Sequence, residues 1–242
     1  GKEDDESADV FVKTDAGKYV KSDKNKGGDK SGDSGDGKPK DSDLGGSDFE
    51  RGSSSVEDEL TSRGFKVKKI SLAAALKSEV RQWCVENYGI DSVDCSREDK
   101  EKIRDFLVFH GTTKRNTSEG RHWINIINSI IQMEKDNYDY FIISDVRYDD
   151  YEKDEVYWLQ EELNGVLVHV QLYWVEQRLN GHKKVFQEPV NSEEARNDPK
   201  LLQKCDYDVT WEKFSDINKD KYTKEYAVKF VEWLALGDGA QG

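Results

Sequence analysis

Apolar positions fall into two regimes along this chain. From Phe65 onward they recur at helix or strand spacing, whereas before about residue 50 they hardly recur at all. "GFKVKKISLA" places Val67 and Ile70 in a short strand. "AALKSEVRQWCVENYG" follows with Leu76, Val80, Trp83 and Cys84 at i, i+4, i+7 and i+8, one helical face, and Gly89 stands where that helix must stop. In "REDKEKIRDFLVFHG" Ser96 supplies the N-cap oxygen and Asp99 lies three residues on, as in a capping box; Ile103, Phe106, Leu107 and His110 form the inward face. "EGRHWINIINSIIQMEK" gives the clearest helical stripe, with Trp123, Ile126, Ile127, Ile130 and Ile131 on one side. The strand "YFIIS", the helix "YEKDEVYWLQEEL" and the strand "GVLVHVQL" then form a βαβ unit, whose strands should be parallel and joined by a right-handed crossover. A last helix, "YTKEYAVKFVEWLAL", repeats Tyr222, Tyr226, Phe230 and Leu234 every fourth residue. Strands alternating with helices predict a three-layer α/β fold with a mostly parallel sheet.

Residues 1–50 break this pattern. They are mostly Gly, Asp, Lys and Ser, and only "DVFVKTDAGKYV" (9–20) has the apolar content to pair as a hairpin. The remainder cannot bury enough apolar area to offset the entropy of ordering it, so the sequence divides into a low-complexity acidic tail (1–50) and an α/β domain (51–242). The chain opens at Gly1 without a Met, and reads as a piece of a longer chain.

Composition narrows the function. Hydrophobic residues make up 35% and charged residues 36%, with a formal net charge of −13. That charge opposes bulk binding to a phosphate backbone. The three cysteines (Cys84, Cys95, Cys205) are odd in number and widely spaced, which fits a reducing, intracellular setting without a disulfide framework. The four histidines form no HxxxH or CxxC-type cluster with them, and no apolar run is long enough to span a membrane.

The candidate chemistry sits in "NYDYFIISDVRYDD". Four consecutive apolar or aromatic residues suit a strand buried on both faces, and it ends in Ser144, Asp145, Val146 and Arg147. A carboxylate and a guanidinium at the carboxyl end of such a strand stand where open α/β sheets bind ligands. The same two residues also read as ordinary surface charges at a strand end.

In order, these elements resemble the deoxynucleoside monophosphate kinases of bacteriophages and large DNA viruses, from about Gly52 to Leu236. The landmarks are "GFKVKKISLAAALK", the run Phe106 to Thr112 with Arg115 and the Trp123-led helix, the strand end Ser144-Asp145-x-Arg147, and "NSEEA…CDYDVTW". The resemblance implies a P-loop kinase fold that moves the γ-phosphoryl group of ATP to a deoxynucleotide. It implies Asp145 near Mg2+, Arg147 near phosphate or acceptor, Arg115 and Arg121 at the monophosphate, and Arg178 in a lid. It also implies a viral setting, the virion included. Arginines and a metal-holding carboxylate are what phosphoryl transfer needs. Against those roles, Arg121 reads equally as a solvated charge before a helix, and Arg178, Lys183 and Lys184 as a surface charge run. His169, inside a strand, reads as a core or rim histidine.

The resemblance breaks at its start. A P-loop needs a buried strand and then GxxxxGK[ST] opening a helix, so that backbone N–H groups and a lysine wrap the phosphates. Here "LGGSDFERGSSSVEDELTSRGF" offers a loop remnant at Gly52, Ser53, Ser54 and Ser55, no lysine between Lys40 and Lys66, and no buried strand ahead of it. Losing one such stabiliser costs on the order of a hundredfold in rate. The first strand and phosphate loop thus read as degenerate. The leading expectation is a catalytically degenerate kinase-like protein with a structural or interaction role, its 1–50 tail running along other protein subunits. The alternative is an active kinase using ATP and Mg2+, with "RGSSS" holding phosphate and Lys183 or Lys184 supplying the cation. Between them stands retained deoxynucleotide binding through Arg115, Arg121 and Arg147. A metal-dependent nuclease would need further carboxylates at the sheet ends, and none is identifiable.

Overall fold

The apolar run at 140–143 is the strand about which the other elements are arranged. The computed structural model describes residues 8–13, 48–178, 181–187, 192–212 and 219–237. In chain order they form β1 (Ala8–Lys13), α1 (Asp48–Ser62), β2 (Val67–Ser71), α2 (Leu72–Tyr88), α3 (Arg97–Thr117), α4 (Arg121–Glu134), β3 (Tyr140–Val146), α5 (Glu155–Tyr157), β4 (Val166–Arg178), β5 (Gly181–Phe186), α6 (Ser192–Lys204), β6 (Tyr207–Glu212) and α7 (Lys219–Gly237). α5 runs on into a π-helical turn, Trp158–Glu162, in place of the single regular helix that the sequence predicts. There the Leu163 N–H reaches back five residues to the Trp158 carbonyl at 3.0 Å. The wider turn leaves Trp158 and Leu159 both fully buried.

The fold is mixed α/β, with one six-stranded sheet in the order β2-β3-β1-β4-β5 and β6 also paired to β4. β2 runs parallel to β3 and β4 parallel to β6, while β1 is antiparallel to both β3 and β4 and β5 is antiparallel to β4. The expected mostly parallel sheet is therefore corrected to a mixed one. β3 and β4 do share a direction, as the βαβ reading requires, but β1 lies between them. Ala8–Lys13, expected as one arm of a hairpin in the tail, is instead a strand in the middle of the sheet. The other arm of that hairpin and most of the tail (1–7, 14–47) lie outside the described residues. The chain does carry a strand ahead of Gly52–Ser55, but it comes from further upstream than the segment directly before them, where none was expected.

Helices cover both faces of the sheet. Side chains alternate across a strand, so Phe141 and Ile143 of β3 pack with Trp123, Ile124, Ile127 and Ile131 of α4 and with Trp158, while Tyr140 and Ile142 pack with Val56 and Leu60 of α1 and Phe230 of α7. A smaller cluster (Val80, Cys84, Ile103, Leu107) joins α2 to α3. Ser71 caps α2, its Oγ accepting the Ala74 N–H at 3.1 Å, and Gly89 ends that helix at φ +66°. α3 runs well past the expected stop at Gly111. A Cβ there would lie 2.9 Å from Leu76 Cδ1 of α2, a contact that a shift of the leucine side chain would relieve. The extra turns carry Arg115 into the interior. In α7 the inward stripe is Thr223, Ala227, Phe230 and Val231, and Tyr222 is exposed, because a strict four-residue repeat drifts off a 3.6-residue face.

α6 is fastened to the sheet by His169 of β4. Its imidazole is almost wholly buried, with Nε2 2.8 Å from Asp198 of α6 and Nδ1 3.1 Å from Asp208 of β6. Both ring nitrogens can donate only in the imidazolium form. Burial alone would lower this pKa; the hydrogen bonds to Asp198 and Asp208 outweigh it and raise it above the usual histidine value. The folded pKa therefore exceeds the unfolded one, and the clamp's stabilisation is complete below about pH 6.5 and fades as pH climbs through the raised value. Thermal unfolding of wild type and His169→Gln across about pH 6 to 9 should show the wild-type advantage, a few degrees at the acidic end, shrinking steadily. An advantage that grows with pH would contradict the clamp.

Candidate functional site

The carboxyl edge of β2 and β3 gathers most of the residues that the sequence singles out. Ser71 and Ser144 are register partners at that edge. The Ser71 hydroxyl donates to Asp145 while accepting from the start of α2. Asp145 takes the left-handed conformation, φ +67°, which aspartate tolerates better than most side chains, at the point where pairing with β1 shifts register between Ala8 and Val10. The bulge lets Asp145 face the edge while Val146 turns back into the core. The Ser71 hydroxyl and the Arg147 guanidinium hold the Asp145 carboxylate in that position.

Arg147 donates from its side chain to Glu194 of α6 and, at 3.4 Å, to Asp145. Its backbone N–H, with that of Tyr148, donates to Glu155 at 2.8 and 3.1 Å. Next to it, Arg115 of α3 grips Asp154 with both terminal nitrogens, one at 2.7 Å, between the rings of Tyr148 (4.0 Å) and Tyr151 (5.2 Å). Asp154 is completely buried and also accepts the backbone N–H groups of Asp150, Tyr151 and Glu155. One carboxylate thus folds the whole 150–155 turn around a guanidinium. Gly120, at φ +84°, borders the pair, where a Cβ would lie 2.5 Å from Asp154 Oδ1. No side chain fits there.

The turn is held from its other side by α6. Arg196 and Lys200 donate to Asp150 at 2.8 and 2.9 Å, Lys204 reaches Asp149 at 2.6 Å, and Asn197 bridges both aspartates. Burial pushes the Asp150 pKa up, but the bonds from Lys200, Arg196 and Asn197 dominate and hold it at about 2. Glu155 goes the other way. Full burial raises it to about 7, against the pull of Arg115 3.8 Å away and with neighbouring Asp154 adding to the rise. The reason is arithmetic of charge: one buried guanidinium neutralises one carboxylate, and the second lowers its cost by keeping a proton.

Three of the expected site residues, Asp145, Arg147 and Arg115, come together at this edge. Arg121 lies beyond Gly120 and is paired bidentately with Glu162 at 2.9 and 3.0 Å. Arg178 ends β4, opposite Gly181 at the tip of the β4–β5 hairpin, and its side chain lies outside the described residues. Gly52, Ser53, Ser54 and Ser55, expected as a loop remnant, are helical within α1, whose start at Asp48 precedes them. The side chain of Ser53 is outside the described residues. Ser54 and Ser55 are half-buried, with Lys69 Nζ 3.5 Å from Ser54 Oγ. Val56 and Leu60, anchored in the core, hold these residues in the helix. Among the described residues no group of three or more His, Cys, Asp or Glu could hold a metal ion. An open concavity beside the turn is walled by Asp149, Asp150, Glu152 and Glu161 against a single Lys204.

Sequence reasoning missed Asp154, Glu155, Glu194, Ser71 and Gly120. Asp154 carried a legible signal, an aspartate directly before the apolar run Val156–Leu159, where N-caps stand. Glu194 carried none. Comparison of the chain with protein-family models, curated proteins and solved structures returns no match. The class that fold and edge define is thus a mixed α/β domain whose strand-end cations are paired with its own carboxylates.

Asp154→Ala should cost about 3–5 kcal/mol in denaturant unfolding by stranding Arg115, and Arg115→Met added to it should return much of that loss. Glu155→Gln keeps an acceptor for the two N–H groups but cannot ionise. Because the folded pKa is raised, the wild type loses stability from about pH 4.5 to 7 that this variant does not. The variant should be more stable by about 1–3 kcal/mol above pH 7 and level with wild type near pH 4.5. A pH-independent difference would contradict the buried proton.

Proposed function

We propose that this domain is a non-catalytic relative of the P-loop nucleoside monophosphate kinases, with a structural or interaction role. The observation that carries the reading is that Arg115, Arg147 and Arg121 are each paired with an internal carboxylate, Asp154, Glu194 and Glu162 respectively. A phosphate gains from a guanidinium whose charge is unspent; here it would have to displace a carboxylate already in place, and in two cases a buried one. The acidic concavity alongside adds repulsion. Helical geometry through Gly52–Ser55 also removes the run of free backbone N–H groups that a phosphate loop presents.

A second reading, retained monophosphate binding, is favoured by one observation, the left-handed Asp145 at the bulged strand end beside Arg147.

Incubating the chain with ATP, Mg2+ and each of the four deoxynucleoside monophosphates should yield no diphosphate product, and calorimetry with the same monophosphates at millimolar concentration should be silent. Turnover that Asp145→Ala abolishes would overturn the non-catalytic reading. Heat of binding without turnover would establish the second one.

A further inference from the structure

The middle lane of the sheet holds β1, and the next described element of the chain, α1, begins only at Asp48. β3 and β4 run in one direction, and the lane between them is lined by Phe141, Ile142, Ile143, Leu167 and Val168, all fully buried. Backbone N–H and C=O groups facing such a lane need a strand to pair with. β1 supplies it antiparallel to both neighbours, with Lys13 at the Tyr140 end and Ala8 at the Val146 end. A parallel strand would be tied to its neighbour by a packed crossover; an antiparallel one needs only a connection of any length. The connection here is Thr14 to Ser47, 34 residues. Fully extended, a segment of that length spans roughly 110 Å, several times the lane. It carries seven lysines and seven aspartates, so that it brings no net charge to a neighbouring copy. The pairing itself is short: five β3 positions with a register shift, and three β4 positions.

We propose that β1 is an exchangeable strand, and that the lane between β3 and β4 accepts the Ala8–Lys13 segment of a second copy of this chain. Each copy then donates its β1 and receives one, joining protomers by main-chain pairing at the centre of both sheets. This is an exchange of an identical element, the low-cost route to self-association. The tether sets the balance. A flexible linker typically gives the tethered element an effective concentration in the millimolar range, and exchange is expected to grow as protein concentration approaches that value or where copies are held side by side. The inference gives the interaction role above a partner, a second copy of this chain. Its test is separate, because nucleotide titration decides that reading and leaves this one untouched.

Asp9 and Val168 are register partners, so full-length chains carrying Asp9→Cys, isotopically heavy, are mixed with light chains carrying Val168→Cys under mild oxidation. Peptide mass mapping separates the new disulfide from any made by Cys84, Cys95 or Cys205. The expected result is a heavy–light disulfide between positions 9 and 168 that rises about tenfold from roughly 0.1 to 1 mM protein, alongside ready closure within a chain carrying both substitutions. Closure within the doubly substituted chain but none between chains would overturn the proposal, and so would no closure in either. Lys13→Cys with Tyr140→Cys, the register pair at the other end of the strand, repeats the test should Val168→Cys unfold the protein.

Discussion

Everything at the carboxyl edge depends on one buried ion pair, Arg115 with Asp154. A guanidinium taken from water is tolerated only when paired and fully hydrogen-bonded, and Asp154 meets this demand while also accepting three backbone N–H groups of its own turn. The pair therefore sets the path of residues 150–155. That path in turn places Glu155 under the backbone of Arg147 and Tyr148. Tyr148 and Tyr151 flank the guanidinium, and Gly120 leaves the space it needs. Through Glu155 the pair is linked to the backbone of Arg147 at the strand end.

The second support is α6. Its polar face, Arg196, Asn197, Lys200 and Lys204, meets Asp149 and Asp150, its buried Glu194 meets Arg147, and Asp198 meets His169 on the sheet below. Carboxylates and cations are thus matched across the edge in both directions. An edge built to receive a polyanion would leave positive charge over; this one leaves almost none, and the concavity beside it is acidic. The same fold that could carry an anion site has its arginines committed to holding the molecule's own loops.

Much of the fold was legible because its signals are local. The stripe Trp123–Ile131 and the run Tyr140–Ile143 were read as the helix and strand they are, and Ser96 and Gly89 fall at the caps expected of them. What escaped depends on pairing at a distance. Nothing in "ADVFVK" announces that it lies between two strands more than a hundred residues away, since strand direction is set by a partner. The π-helical turn after Asp154 arises from the need to bury both Trp158 and Leu159. At the site, Asp145, Arg147 and Arg115 were found as residue types in a suggestive order. Their neutralisation was not, because Asp154 and Glu194 look like any other acidic residues in a chain with fifty of them.

The central claim is that these arginines are occupied from within. Nitrogen-15 spectra of the arginine side chains, assigned by Arg115→Lys and Arg147→Lys and recorded while ATP with Mg2+ or a deoxynucleoside monophosphate is added to millimolar levels, test it most directly. The account predicts slowly exchanging Arg115 Nη–H signals in the free protein, from the protons bound to Asp154, that do not move on addition. Signals of Arg115 and Arg147 that shift together and saturate with nucleotide would contradict it.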